Sequence, residues 1–350
     1  MRTYLKSRSR LVLTGAALFA SIGLLAGCTG GTANESENVV DQGTSTEENA
    51  ETGDTVVIGF SGPAADHGWL GAINSGALAA AESFPDVDLQ VAEGTNDVNA
   101  QIAAVETFIN DGVDAIVLLP SDGAALTEVA IKAMEAGIPV INVDREFSSP
   151  FAARSTVLGD NYGMGVSAGV YVCEQLGDNP DAIVGEIAGI DSLPLTQDRS
   201  AGFADALSDC GLEVGPRVAA DFTVQGGEAA TSQMLSANPQ IDAIWNHDDD
   251  QGIGVLAAIS ASGRDEFFMV GGAGSRNAME AIEADDSVLK ATVIYPSTQA
   301  ADGIALARLI AQGKTAGDLI TPSVPNRIVL DAPVVTKENV AEFIDLSFES

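Results

Sequence analysis

The chain is poor in positive charge and in reactive side chains. Its 350 residues hold 16 lysines and arginines against 50 aspartates and glutamates, a net charge of −34. So acidic a surface repels nucleic acid and anionic lipid, and neither is expected as a partner. Histidine occurs twice and cysteine three times. No compact zinc pattern can be built from them: the spacing in His247-Asp248-Asp249-Asp250-Gln251-Gly252 matches none. In Asn246-x-Asp248-x-Asp250 the following Gly252 comes one place too late for a calcium loop. No metal and no cofactor is expected. There is no Gly-x-Ser-x-Gly elbow and no catalytic-cysteine pattern, so no nucleophilic enzyme is indicated. Gly271-Gly272-Ala273-Gly274 lacks the lysine of a phosphate loop. Internal repeats of short period are absent, and only one long apolar run exists, at Leu11–Leu25.

That run explains the first residues. Arg2, Lys6, Arg8 and Arg10 precede it with no acid, and Leu25-Ala26-Gly27-Cys28 closes it. A basic head, a short apolar body and small residues at the end predict a secretory signal over residues 1–27, too short for a spanning helix. The ending resembles a bacterial lipobox, which implies that Cys28 is the lipidated first residue of the mature chain. An uncleaved anchor, or a plain signal with a chance cysteine, is the alternative. Residues 28–54 are Gly, Thr, Ser, Asn and Glu with almost no large apolar residue, a composition that predicts a flexible tether. The folded part is then expected outside a membrane, attached only through lipid. Removing residues 1–27 removes four basic residues and no acid, taking the net charge from −34 to −38. Cys173 and Cys210 remain, near the ends of predicted helices in neighbouring units, on an oxidising side. A disulfide is expected; two buried free thiols are the alternative.

From Thr55 onward the pattern alternates strand, turn and helix. Strands are predicted at 56–60, 89–92, 115–120, 138–143 and 156–159, then at 182–187, 213–222, 243–245, 268–272, 289–295 and 327–329. Helical spacing fills the gaps, for example Ile102, Val105 and Ile109 on one face of 99–110. Alternation of this kind predicts an α/β fold with parallel sheets and helices on both faces. About ten strands are too many for one twisted sheet, so two lobes are expected.

Ile138-Pro-Val-Ile-Asn-Val-Asp-Arg-Glu146 stands out. A short apolar run after a helix reads as a buried parallel strand, and ligands of open α/β sheets sit beyond the strands' carboxyl ends. Asp144 can accept from hydroxyls and Arg145 can donate a planar fork, so the pair suits a small polar ligand. A strand-end ion pair without a ligand is the alternative reading.

The ordered set of segments resembles the ribose-binding-type periplasmic proteins. It comprises Ile-Pro-Val-Ile-Asn-Val-Asp-Arg (138–145), Gly-Asp-Asn (159–161), Asp-Arg-Ser-Ala-Gly-Phe (198–203) and His-Asp-Asp-Asp-Gln-Gly-Ile-Gly (247–254). Met-Val-Gly-Gly-Ala-Gly (269–274), Ala-Thr-Val-Ile-Tyr-Pro (291–296) and Ala-Pro-Val-Val-Thr-Lys-Glu-Asn-Val (332–340) complete it. The resemblance implies two Rossmann-like (flavodoxin-like) lobes of the type I fold, joined by three crossovers near Gly159, Pro296 and Leu330. The lobes would be 55–159 plus 296–330 and 160–295 plus 331–350. It further implies a sugar or polyol between them, a monomer, and an ABC permease as partner. The location implied is the extracytoplasmic face of a bacterial cell membrane, the periplasm in a Gram-negative cell.

Carried over residue by residue, the resemblance assigns ligand contacts to Ser61, Asp144, Arg145 and Arg199. Trp69 and Phe222 become aromatic walls for the apolar face of a sugar ring; a core role is the alternative for each. Asp248 stands where a ribose binder has asparagine, Gln197 where it has arginine, Ala273 where it has aspartate, and Tyr295 where it has glutamine. With Asp66, His67 and His247 added at strand ends expected to face the cleft, the hydroxyl-reading set differs from that of ribose. Another monosaccharide or a sugar alcohol is therefore expected. For both histidines a structural role is the alternative.

Three other functional classes share parts of this pattern. A secreted carbohydrate-active enzyme would use paired carboxylates, but acids are everywhere in this chain. A transcriptional regulator core is opposed by the signal segment and the missing basic reading head. A sensor subunit for a membrane receptor is not separable from transport by sequence.

Overall fold

A computed structural model describes residues 47–177, 179–316 and 323–349. The predicted signal, Cys28 and most of the predicted tether lie outside the described residues. The chain enters through a helical turn, α1 (Glu47–Ala50), followed by β1 (Val56–Ser61), α2 (Gly68–Ser83) and β2 (Val87–Val91). Next come α3 (Val98–Asp111), β3 (Ala115–Leu118), α4 (Gly123–Glu135), β4 (Val140–Val143) and β5 (Ser155–Gly159). A second series follows: α5 (Asn161–Leu176), β6 (Val184–Ala188), α6 (Pro194–Asp209), β7 (Val214–Ala219), α7 (Val224–Ala237) and β8 (Ala243–Asn246). It continues with α8 (Asp249–Ser262), β9 (Phe268–Ala273), α9 (Arg276–Ala284) and β10 (Leu289–Ile294). The chain ends with α10 (Gln299–Ala311), β11 (Arg327–Leu330), β12 (Val334–Thr336) and α11 (Val340–Phe343).

The strands form two six-stranded sheets, β11-β5-β4-β3-β1-β2 and β12-β10-β9-β8-β6-β7. Among the described residues, all strand pairings are parallel except β10–β12. Central strands β3, β4 and β8 are buried on both faces and therefore read as short, mostly apolar runs, with Asn142 in β4 and Asn246 at the end of β8 as the polar residues. Edge strand β7 alternates half-buried and exposed residues. The chain passes between sheets after β5, after β10 and after β11. Helix boundaries follow capping chemistry. Asp97, Asp122, Asp160, Thr223, Asp248 and Ser275 accept backbone N–H bonds at N-termini, and Gly112 and Gly263 end helices at positive φ.

Three expectations need correction. Twelve strands are present among the described residues, not about ten; β12, three residues behind Pro333, is too short to carry a periodic signal. The tether does not extend to residue 54. Arg308 donates to the Asn49 carbonyl at 2.8 Å and the Glu51 carbonyl at 2.9 Å, and Gln312 donates to the Asp54 carbonyl at 2.9 Å. This polar stretch is held by backbone bonds, which composition cannot reveal. The strand predicted over 213–222 stops at Ala219, because Phe222 turns to a φ of 67°. Cys173 and Cys210 are joined by a disulfide between the C-terminal ends of α5 and α6. Among the described residues, no helix is long and apolar enough to cross a membrane.

Candidate functional site

Both sheets reverse strand order beside their first strand, β1 in one and β6 in the other, and ligand crevices form at such switch points. Register then decides which residues meet. Ser61 lies opposite Leu118, and Leu118 opposite Asn142, so the loops after β1, β3 and β4 leave one edge together. In the other sheet Ile187 faces Asn246 and Ala273 faces Ile294, which aligns Asp248, Ala273 and Tyr295 at the corresponding edge. The two edges meet in a narrow cavity of about 30 Å³. It is lined by His67, Trp69, Asp144 and Arg145 from the first lobe and by Leu195, Arg199, Phe222, Asp248, Ala273 and Tyr295 from the second. An adjoining opening of about 340 Å³ shares Asp144, Arg145 and Leu195 and leads outward past Glu146, Tyr162 and Asp198.

The polar groups are tightly tied. Tyr295 Oη donates to Asp144 Oδ1 at 2.5 Å and accepts from Asn161 Nδ2 at 3.0 Å. Burial and the Asp144 carboxylate push the Tyr295 hydroxyl well above its usual pKa, so it stays a donor. Arg199 donates to Asn161 Oδ1 at 2.9 Å and to the His247 carbonyl at 3.0 Å, with its guanidinium 4.4 Å from the Tyr295 ring centroid. Arg145 lies 3.7 Å from Asp144 Oδ2 and donates to the Ser121 carbonyl at 2.9 Å. Trp69 donates its backbone N–H to Asp250 at 3.0 Å and its indole N–H to the Tyr295 carbonyl at 3.1 Å. Trp69 and Tyr295 rings tilt together at 5.4 Å, and His67 stacks on Phe222 at 6.4 Å. Burial, then repulsion from Asp250, raises the Asp248 carboxyl well above the usual range. Behind them Asp249 binds the N–H groups of Gly272, Gly274 and Ser275, its carboxyl pushed up to about 7 by burial against those bonds.

Backbone strain concentrates here. Among the described residues four non-glycine residues have positive φ, and three of them, Asp144 (61°), Phe222 (67°) and Ala273 (85°), line the cavity. Such conformations cost on the order of 1–3 kcal/mol each and persist where surrounding structure enforces them, typically at functional sites. Two glycines make room for the rings. A Cβ on Gly159 would fall 2.1 Å from the Tyr295 ring, and one on Gly189 would fall 1.9 Å from the Phe222 ring.

Of the residues expected at a ligand site, eight share the cavity: His67, Trp69, Asp144, Arg145, Arg199, Phe222, Asp248 and Tyr295. Four are placed elsewhere. His247 does not face the cleft: it is fully buried against Trp245 at 4.1 Å, with Nε2 3.0 Å from Glu186. Burial holds its pKa below the usual value, so the ring is a neutral core element. Gln197 is exposed and donates to the Asp191 carbonyl at 3.0 Å, because the helical turn that aims Arg199 inward aims residue 197 outward. Asp66 is exposed behind His67, and Ser61 is buried at the end of β1 away from the cavity wall. Sequence reasoning missed Asn161, which ties Arg199 to Tyr295, although it ends the quoted Gly-Asp-Asn segment. It also missed Leu195, which carried no local signal, and it weighed Asp250 only as part of a cation-loop spacing.

Comparison with known proteins accords with this architecture. The family described as a periplasmic binding protein domain matches residues 58–315. The D-ribose/D-allose-binding protein of Pseudomonas aeruginosa is 30% identical over 210 residues, covering 58% of this chain and 64% of that protein. The ribose import binding protein of Bacillus subtilis is 31% identical over 198 residues, covering 55% and 63%. The matches thus span a little under two thirds of those two relatives. A putative rhizopine-binding protein of Rhizobium meliloti is 29% identical over 274 residues, covering 75% of this chain and 84% of its own. Among solved structures, a Bacillus halodurans ABC transporter solute-binding protein with bound myo-inositol is 25% identical with a TM-score of 0.74, covering 84% of this chain and 99% of that one. The fructose-binding periplasmic domain of a hybrid two-component system is 27% identical with a TM-score of 0.72, covering 82% and 92%. With the family match running from the first strand past α10, the chain belongs to the periplasmic binding protein family.

Proposed function

We propose that this chain is the extracytoplasmic solute-binding lipoprotein of an ABC importer, anchored through Cys28, and that it binds a monosaccharide or sugar alcohol between its lobes. The carrying observation is one interlobe cavity that combines Trp69, Phe222 and Tyr295 rings with Asp144, Arg145 and Arg199. Rings suit the C–H face of a sugar, and fixed acceptors and donors suit its hydroxyls. The relatives' names, which mention ribose, allose and rhizopine, and the neighbour with myo-inositol support the same ligand class.

The mechanism is hinge closure. The moving bodies are residues 55–159 with 296–330 and residues 160–295 with 331–350. A gap of about 30 Å³ holds roughly one water, so a sugar requires the lobes to part and close again around it. Ligand contacts to both lobes then favour the closed form. Asp66, Gln197 and His247 act behind the contact surface in this scheme, with His247 presenting its carbonyl to Arg199.

A thermal-shift screen of pentoses, hexoses, polyols and inositol tests the proposal. A true ligand at 100 times its Kd adds about 2.7 kcal/mol of stability. The same ligand is expected to change tryptophan emission, and Trp69→Ala is expected to lose that change, since Trp245 is sealed in the core. A panel without any shift overturns the ligand class. A second reading, ligand sensing for a membrane receptor, is favoured by the resemblance to a periplasmic domain of a two-component system.

A further inference from the structure

We propose that His67, Asp248 and Asp250 form a binding site for a divalent transition-metal ion that bridges the two lobes. His67 precedes α2 of the first lobe, while Asp248 caps α8 of the second and Asp250 lies in its first turn. One donor atom from each residue lies within 4.8 Å of the other two. Each offers one ligand atom to that point.

The imidazole is set up as a ligand. Asp66 Oδ1 lies 2.7 Å from His67 Nδ1, and Asp66 Oδ2 is itself fixed by Asn96 Nδ2 at 2.9 Å. A carboxylate holding Nδ1–H leaves a lone pair on Nε2, the arrangement that orients metal-ligating histidines. The carboxylates are set up too. Both are at least nine-tenths buried, with exposures of 5% and 3%. Asp248 Oδ1 accepts from the Gln251 N–H at 3.0 Å and Asp250 Oδ2 from the Trp69 N–H at 3.0 Å. The second oxygen of each takes no hydrogen bond from the described residues. Arg199, on the same cavity wall, is committed to Asn161 and to the His247 carbonyl.

Two buried carboxylates and an imidazole converging on one point are relieved by a cation, which would displace any proton they share. One nitrogen and two carboxylate oxygens suit Mn²⁺ or Zn²⁺ better than Mg²⁺ or Ca²⁺, which favour all-oxygen shells. Asp250 is not on the cavity wall, whereas His67 and Asp248 are. A small ion therefore reaches all three, and a substituent on a sugar ring does not. The spacing argument against a metal fails because the third ligand comes from the other lobe. Because ligands come from both lobes, binding favours closure.

The test uses the folded mature chain after chelation, without sugar, so its outcome is independent of the sugar reading. Mn²⁺ is titrated and followed by electron paramagnetic resonance, with Zn²⁺ calorimetry in parallel. One saturable site per chain is expected above a weak background from surface carboxylates. Asp250→Asn and His67→Ala should each weaken that site at least tenfold without changing the background. His67 is partly exposed, so its variant guards against a folding defect in the other. Absence of a saturable site, or unchanged affinity in a folded variant, overturns the proposal. So does an amino sugar that fills the site and excludes Mn²⁺.

Discussion

Tyr295 Oη and Asp144 Oδ1 lie 2.5 Å apart although they directly follow strands of different sheets, β10 and β4. The bond ties the lobes at the point where the cavity begins. Removing the hydroxyl leaves a buried carboxylate short of a donor, so Tyr295→Phe should cost about 1–3 kcal/mol in urea unfolding. A double-mutant cycle with Asp144→Asn should return a coupling of roughly 0.5–3 kcal/mol. Strict additivity of the two substitutions would show that the contact contributes nothing.

Gly189 permits the Phe222 ring to lie against backbone, with a built Cβ only 1.9 Å away. Gly189→Ala should displace Phe222 from the cavity wall, with an overpacking cost of about 1–3 kcal/mol. Under the proposed function, calorimetry should show sugar affinity falling at least tenfold. Retained affinity would remove Phe222 from the binding surface.

The Cys173–Cys210 bridge closes a loop of 37 residues. On the chain-entropy account such a crosslink stabilises by roughly 3–4 kcal/mol. Chemical unfolding with and without reductant should show that difference, and mass analysis of the unfolded, unreduced chain should find no free thiol at either position.

Asp86 and Arg308 form a buried pair at 2.6 Å that also fixes the chain around Asn49 and Glu51. Hydrogen bonds from Arg308, acting against the cost of burial, hold the Asp86 carboxyl well below its ordinary 3.8. The unfolded chain therefore takes up this proton before the folded one. The stabilisation is present above about pH 4 and is lost as pH falls through the folded pKa. Asp86→Ala should cost about 3–5 kcal/mol at neutral pH by stranding the guanidinium. Its melting temperature should also depend less on acidification than that of the parent, and an equal acid slope in both would exclude Asp86 as the titrating group.

The sequence by itself determined the two-lobed α/β plan. Unbroken apolar runs such as Ala115–Leu118, aspartate and threonine caps, and glycines after helices are local signals that act within a few residues. The Asp144–Arg145 pair was legible for the same reason, since strand ends are set locally, whereas Trp69 and Arg199 were reached only through the family resemblance. Only the tertiary structure decided which side chains meet across the cleft. His247 and Gln197 turned away because one step along a strand or a helix changes the face. Asn161, Asp250 and the left-handed turn at Ala273 entered through register between distant strands. Contacts between lobes depend on how two sheets are set against each other, and no spacing along one chain encodes that.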